Sequence, residues 1–215
     1  MIECILFDLD NTLYPKSSGL DKEVNRRMTE FTAGCLGISR EEAQRRRETE
    51  AIPYGTTLKW LTGTHNLSDP EGFLEAVHPP NLEDYFAPDP PLREMLRGLP
   101  HHRAILTNSP AEHAQRVLRR LGIEDQFSRI FDIRYNGFQG KPSPLTYTKV
   151  LQDLGFEAAQ VLFIDDMPRY LFPFRGLGGR ALLVDEAGTC AQAGLPVIRK
   201  ITELKDYLQT LGEMR

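Results

Sequence analysis

The chain has 215 residues, 40% of them hydrophobic and 26% charged, with 26 basic against 30 acidic side chains and a net charge of −4. That composition excludes disordered, collagenous and disulfide-dense chains, and the mild acidic excess argues against a nucleic-acid polymer as the main partner. At about 150 residues per domain, the length suits one large domain or a core with a smaller companion.

In chain order, Ile2 to Phe7 is a short apolar run stopped by Asp8 and Asp10, the pattern of a buried parallel strand. Glu3 stands where a secretory leader would be basic, and no stretch reaches the roughly 18 uninterrupted apolar residues of a membrane span, so the expectation is a cytoplasmic protein with no membrane partner. Residues from about 16 to 85 carry helical patterns and almost no strand-like run. Within them Ser39-Arg40-Glu41-Glu42 reads as a capping box and Arg45-Arg46-Arg47 as a solvated helix face. After Pro88, Pro90 and Pro91 strands and helices alternate. Arg103 to Thr107, Gln160 to Ile164 and Arg180 to Val184 are each about one strand long, predicting a parallel sheet with helices on both faces. Ser109-Pro110 with Glu112 predicts a serine-capped helix carrying Val117, Leu118 and Leu121 and ended by Gly122. Ser143-Pro144 opens another, with Tyr147, Val150, Leu151 and Leu154 before Gly155. His101-His102 reads as a surface pair, and Cys4, Cys35 and Cys190, far apart and without metal-type spacing, read as reduced thiols.

An open parallel sheet holds its ligand crevice off the carboxyl ends of its strands. Asp8-Leu9-Asp10-Asn11-Thr12 follows the first run, Thr107-Asn108-Ser109 the second and Asp165-Asp166 the third, while Gly140-Lys141-Pro142 offers a lysine just before a helix start. Singly these have ordinary explanations, such as helix capping by Asp8 or Asp165 and a surface Lys141. Together, Asp8, Asp10, Asp165 and Asp166 at one edge would repel one another without a cation, and a hard divalent ion, Mg²⁺, suits a few carboxylates plus substrate phosphate. Asp10, among other carboxylates, is expected to have its pKa raised and to protonate the leaving oxygen while Asp8 attacks phosphorus. Hydrolysis would then proceed through phospho-Asp8, with Asp10 turning from acid to base.

In order and spacing, Asp8-Leu9-Asp10-Asn11-Thr12-Leu13, Thr107-Asn108, Lys141-Pro142 and Asp165-Asp166 resemble the four signature motifs of the haloacid dehalogenase superfamily. The resemblance implies that Asp8 is the nucleophile and Asp10 the general acid/base, its backbone carbonyl facing the metal. It also implies that Thr107 and Lys141 hold the transferring phosphoryl group and that Asp165 and Asp166 serve Mg²⁺. The fold it implies is α/β, a Rossmann-like parallel-sheet core over residues 1–15 and 86–215 with a helical cap, residues 16–85, inserted after the first strand. Asp10 to Pro15, Tyr54-Gly55-Thr56-Thr57-Leu58 and Pro88-Asp89-Pro90 are similar to a pyrimidine 5′-nucleotidase-like branch, which implies a nucleoside monophosphate substrate met by Asn108, Tyr54 and Thr56. Against these roles stand packing of Tyr54 inside the cap and helix capping by the threonines. Lys16 and Arg134 are either contacts for an anionic substrate or surface residues. Met167 to Arg175, with two prolines and several aromatics, departs from the family pattern and predicts a reshaped loop beside the metal.

Asp10 and the Asp165-Asp166 pair favour a phosphomonoester hydrolase acting on a small phosphate ester over a carbon–halogen hydrolase, whose halide leaving group needs neither proton nor metal. A mutase, a phosphatase for a non-nucleotide metabolite and a non-catalytic member binding phosphate or metal stand as alternatives.

Overall fold

In the computed structural model, which describes residues 1–190 and 194–214, strand β1 (Cys4–Phe7) lies between β2 (His102–Leu106) and β4 (Val161–Asp165). The sheet continues outward through β3 (Arg129–Phe131) on one side and β5 (Arg180–Val184) and β6 (Val197–Ile198) on the other, in the order β3-β2-β1-β4-β5-β6. Every pairing is parallel. The order reverses between β1 and β4, so the crevice opens where Asp8, Thr107 and Asp165 end their strands. The backbone ladder runs one residue past β1 and β2: Asp8 N donates to Ile164 O at 2.8 Å and Thr107 N to Phe131 O at 3.0 Å. This fixes both side chains at the rim.

The strands are apolar on both faces because both are covered. Ile5, Phe7, Ile105, Leu162, Ile164 and Leu182 face α5 (Pro90–Arg97), α6 (Ala111–Leu121) and α9 (Leu204–Thr210). Their neighbours in the two-residue period, Cys4, Leu6, Ala104, Leu106, Phe163 and Leu183, face α7 (Pro144–Leu154) and α8 (Pro168–Gly176). Each large apolar side chain buried this way contributes about 1.5–3 kcal/mol. Between β1 and β2 the chain forms α1 (Leu20–Leu36), α2 (Arg40–Glu50), α3 (Thr57–Thr64) and α4 (Pro70–Val77). These have an apolar cluster of their own in Leu58, Trp60, Leu61, Phe73, Leu74 and Val77, reached from the sheet side by Ile133. Among the described residues no helix is long and apolar enough to cross a membrane.

The expected strands are present, Arg180 to Val184 with the expected ends and the others with an end shifted by one or two residues, and two further strands, β3 and β6, occur that are only three and two residues long. Met167 to Arg175 is not a loop. Pro168 takes the first position of α8, where its missing N–H is not needed, and Pro173 lies inside the helix. Burial of Leu171 and Phe174 against the sheet outweighs that break. Of Arg45, Arg46 and Arg47 on α2, only Arg45 lies on a fully solvated face. Arg46 lies over the Trp60 ring at 5.8 Å, and Arg47 reaches α1, donating to Asn25 O at 3.0 Å and Thr29 Oγ1 at 2.7 Å. His101 is buried, not superficial, while His102 is exposed.

Candidate active site

A cleft of about 960 Å³ separates the four-helix insertion from the carboxyl edge of the sheet, and Asp8, Asp10, Thr107, Asn108, Lys141 and Asp166 all line it. At its floor Lys141 is 1% exposed and its Nζ donates to Asp8 Oδ1 and Asp165 Oδ2, both at 2.6 Å. Thr12 Oγ1 donates to the other Asp8 oxygen at 3.1 Å, and Met167 N to Asp165 Oδ1 at 2.8 Å. Burial alone would discharge Lys141, but the two carboxylates outweigh it and hold the ammonium charged. Burial pushes Asp8 well above the ordinary carboxylate range, with Lys141 opposing it. Burial and the neighbouring Asp165 push Asp166 up to about 7.

Asp8, Asp165 and Asp166 can each present a carboxylate oxygen within 4.8 Å of the others. One lysine cannot neutralise three clustered carboxylates, and the unsatisfied charge is what a small divalent cation would take up, so the donor set fits Mg²⁺. The Asp10 carboxylate stands outside that trio, and a contact of Asp10 with the metal would use its backbone carbonyl.

Asp10 also corrects the expected electrostatics. Its carboxyl turns away from the other acids: Oδ1 accepts from Tyr14 Oη at 2.7 Å and faces His113 Nε2 at 2.8 Å, while Oδ2 lies 2.6 Å from Ser109 Oγ. Burial pushes Asp10 up, but the electrostatic attraction of His113 and the hydrogen bonds from His113, Ser109 and Tyr14 prevail and hold it below the usual range. The turn that permits this runs through Asn11, which has a left-handed φ of 61° that asparagine tolerates, and it brings Tyr14 back over Asp10. Ser109 does not cap α6. Its hydroxyl faces Asp10, and Asp132 Oδ2 instead accepts from Ala111 N at 3.1 Å.

The remaining expected contacts divide. Asn108 lines the cleft but spends its amide on Lys141, donating to Lys141 O at 3.0 Å and accepting from Lys141 N at 2.8 Å. Thr107 Oγ1 accepts from Ser109 N at 3.0 Å. Thr56 lines the cleft while capping α3 through the Lys59 N–H at 3.1 Å. Tyr54 packs against the apolar cluster of the insertion and is not a cleft residue. Beside it Gly55, at φ +84°, lets the insertion approach the lysine loop, where an added Cβ would lie 2.7 Å from Pro142 Cδ. Lys16 lies at the cleft mouth, largely exposed. Arg134 lies away from it, paired with Glu71 at 2.6 Å, Glu112 at 2.9 Å and Asp132 at 3.2 Å.

Sequence reasoning missed Tyr14, Ser109, His113 and His78 as site residues. His113 left a signal, since it is a titratable residue on the α6 stripe that also carries Ala114, Val117 and Leu121.

The family model for haloacid dehalogenase-like hydrolases matches residues 2–169. Phosphate metabolism protein 8 of Saccharomyces cerevisiae is 32% identical over 176 residues, covering 74% of this chain and 54% of that protein. Phosphoglycolate phosphatase of Haemophilus influenzae is 27% identical over 177 residues, covering 74% and 75%. The chain thus spans about half the length of the first of these relatives. Among solved structures, a HAD phosphatase from Thermococcus onnurineus superposes with a TM-score of 0.66 at 22% identity over the whole of both chains. The L-2-haloacid dehalogenase of Xanthobacter autotrophicus with chloropropionic acid covalently bound gives 0.60 at 18%, covering 97% of this chain and 99% of that one. At these identities the two structures establish a shared fold.

Proposed function

Because the chain belongs to the haloacid dehalogenase-like hydrolase family, we propose that it is a Mg²⁺-dependent phosphoric monoester hydrolase working through a phospho-Asp8 intermediate. Its substrate is a small phosphate ester, with pyrimidine nucleoside 5′-monophosphates the first class to test. The observation that carries the proposal is the buried Asp8–Lys141–Asp165 array, with the Asp10 carboxyl held apart from it by its own partners. A halide leaves without a proton, so a separately held acid beside the nucleophile serves an ester.

Asp8 attacks phosphorus, the ester P–O bond breaks, and the leaving oxygen takes a proton from Asp10, which must gain that proton as the phosphate ester binds because its partners favour the carboxylate. In the second step Asp10 accepts a proton from the water that attacks phospho-Asp8. Lys141 and Thr107 hold the phosphoryl oxygens, and Thr12 and Lys141 keep the Asp8 carboxylate oriented. Mg²⁺ on Asp8, Asp165, Asp166 and the Asp10 carbonyl would neutralise charge on the phosphoryl group. Residues 1–15 and 86–215 act as the catalytic core and residues 16–85 as a cap that sets the leaving group admitted.

The test is phosphate release with Mg²⁺ from nucleoside monophosphates, sugar phosphates and small phosphorylated acids, with Asp8→Asn as control. Preference for pyrimidine nucleotides supports the full proposal. Preference for a phosphorylated acid, the kind of substrate that the Haemophilus relative's name states, keeps the mechanism and replaces the substrate. Transfer to a second hydroxyl without net phosphate release identifies a mutase, and activity surviving Asp8→Asn refutes the covalent mechanism.

A further inference from the structure

The segment after Asp166 that departs from the family pattern brings an aromatic ring to Lys141. Tyr170, in the first turn of α8, lines the cleft, and Lys141 Nζ lies over its ring, 5.0 Å from the centroid. The backbone there is fixed from two directions: Tyr170 N donates to Met167 O at 2.9 Å, and Tyr170 O accepts from the hydroxyl of the buried Tyr147 at 2.7 Å. The Tyr170 hydroxyl accepts from Arg169 Nη2 at 2.8 Å and donates to Gly55 O of the insertion at 3.4 Å. The Arg169 guanidinium also lies over the ring, at 4.8 Å, but from an exposed position.

An ammonium has three N–H groups. Two of those on Lys141 go to Asp8 and Asp165 at 2.6 Å, and among the described residues the protein supplies no third hydrogen-bond acceptor. Two rings flank it instead, Tyr170 and, at 5.5 Å, Phe163. Lys141 is buried, and a cation is drawn to the negative face of a ring more strongly where water is excluded. The reaction treats these supports differently. When the Asp8–phosphorus bond forms and the ester P–O bond breaks with its electron pair on the leaving oxygen, Asp8 ceases to be an anion, and Lys141 keeps only Asp165 and the rings.

We propose that Tyr170 is a positioning residue for Lys141, its ring face holding the ammonium on a side that neither carboxylate covers, so that the lysine stays on the phosphoryl oxygens while Asp8 is phosphorylated. The inference rests on the function proposed above. Phe163 is the farther ring and belongs to the core, packed on Tyr147 and Phe174. Tyr170 stands at the cleft wall, where the ring is open to substitution without breaking the sheet.

The experiment places at position 170 rings of one shape and graded charge: Tyr170→Phe, then phenylalanines carrying two, three and five ring fluorines, which draw charge off the face and keep the packing. Phosphate release is followed with 4-nitrophenyl phosphate or, where the wild type spares it, with the best ester of the panel above. Tyr170→Phe is expected to stay within about threefold of the wild type, because it keeps the face and loses only the contacts to Arg169 and Gly55. From there kcat should fall in step with fluorination, to about tenfold below Tyr170→Phe with five fluorines, within what a desolvated cation–ring contact supplies. Tyr170→Leu should fall at least as far. A ring that only fills space gives no gradient, and an Arg169→Gln background should leave the gradient in place. Activity that is flat across the series, a loss in Tyr170→Phe as deep as in Tyr170→Leu, or a gradient that vanishes with Arg169→Gln overturns the role of Tyr170 and leaves the proposed function standing. Should Tyr170→Leu not fold, the fluorinated series decides alone. A wild-type chain that hydrolyses no ester refutes the proposed function, and this inference with it.

Discussion

Asp166→Asn tests whether the acidic trio is an electrostatic debt that a cation relieves. Burial and Asp165 raise the Asp166 carboxyl from its ordinary 3.8 to about 7. Its folded value lies above its unfolded value, so the neutral form favours the fold. That contribution is whole below about 3.8 and is lost as the pH rises through about 7. At pH 8 without metal the ionised carboxylate therefore costs about 4 kcal/mol relative to a neutral residue, from about 1.4 kcal/mol per pH unit. Asparagine keeps the shape and removes the charge. In chelator at pH 8 the variant is expected to be more stable than the wild type by up to that amount in urea denaturation. For a chain of this length that corresponds to a Tm higher by roughly 8–16 °C, and the gap narrows as the pH falls toward about 4. Mg²⁺ should close much of that gap, since a cation at a hundredfold excess over its Kd stabilises the wild type by about 2.7 kcal/mol and the variant by less. If Asp166→Asn is no more stable than the wild type at pH 8 in chelator, or if Mg²⁺ stabilises both alike, the trio is not a cation site.

Lys141→Met leaves Asp8 and Asp165 buried without their shared ammonium and is expected to cost about 3–5 kcal/mol in metal-free urea denaturation, partly recovered when Asp8→Asn is added; a double variant as unstable as the single one refutes the pairing. Gly140→Ala puts a Cβ against Asn108 Oδ1 and 2.7 Å from Ile133 Cδ1, so it should disturb the Asn108 clamp on Lys141. Phosphate release should fall tenfold or more while stability falls by about 1–3 kcal/mol, and full activity would show that the clamp does not position the lysine. Arg134→Gln removes pairs that tie Glu71 on α4 to Glu112 on α6 and to Asp132. Amide hydrogen exchange in α4 should quicken in 50 mM salt and differ less from the wild type in 1 M salt, because partly exposed ion pairs are screened; unchanged exchange would mean that the pairs do not hold the insertion. Burial pushes the Cys4 thiol up to about 12, so alkylation at pH 8 should reach Cys35 and Cys190 and spare Cys4 until denaturant is added, as read by peptide mass spectrometry. Native-state labelling of Cys4 would contradict its burial in β1.

Much of the site was legible because its parts are local. An apolar run followed at once by Asp8, Thr107 or Asp165 is visible in a few residues, and parallel pairing of β1 with β2 and β4 then brings the three ends together without further information. What escaped depended on competition between local and distant partners. Pro168 and Pro173 read as breakers, yet the burial of Leu171 and Phe174 decides for a helix. Ser109 has the local pattern of a helix cap, but its hydroxyl is drawn to a carboxylate 99 positions away, and Asp132 accepts the Ala111 N–H in its place. The same competition explains Asp10. Asp8 and Asp10 are two residues apart and were counted as mutual neighbours, but the turn at Asn11 gives their carboxyls different surroundings, one facing Lys141 and the other facing Tyr14, Ser109 and His113. His113 lies 103 positions from Asp10, and His78 lies 31 positions from Ser109. The identity of the acid was therefore carried by spacing within a motif, whereas what sets its proton is carried by contacts that only the folded chain creates.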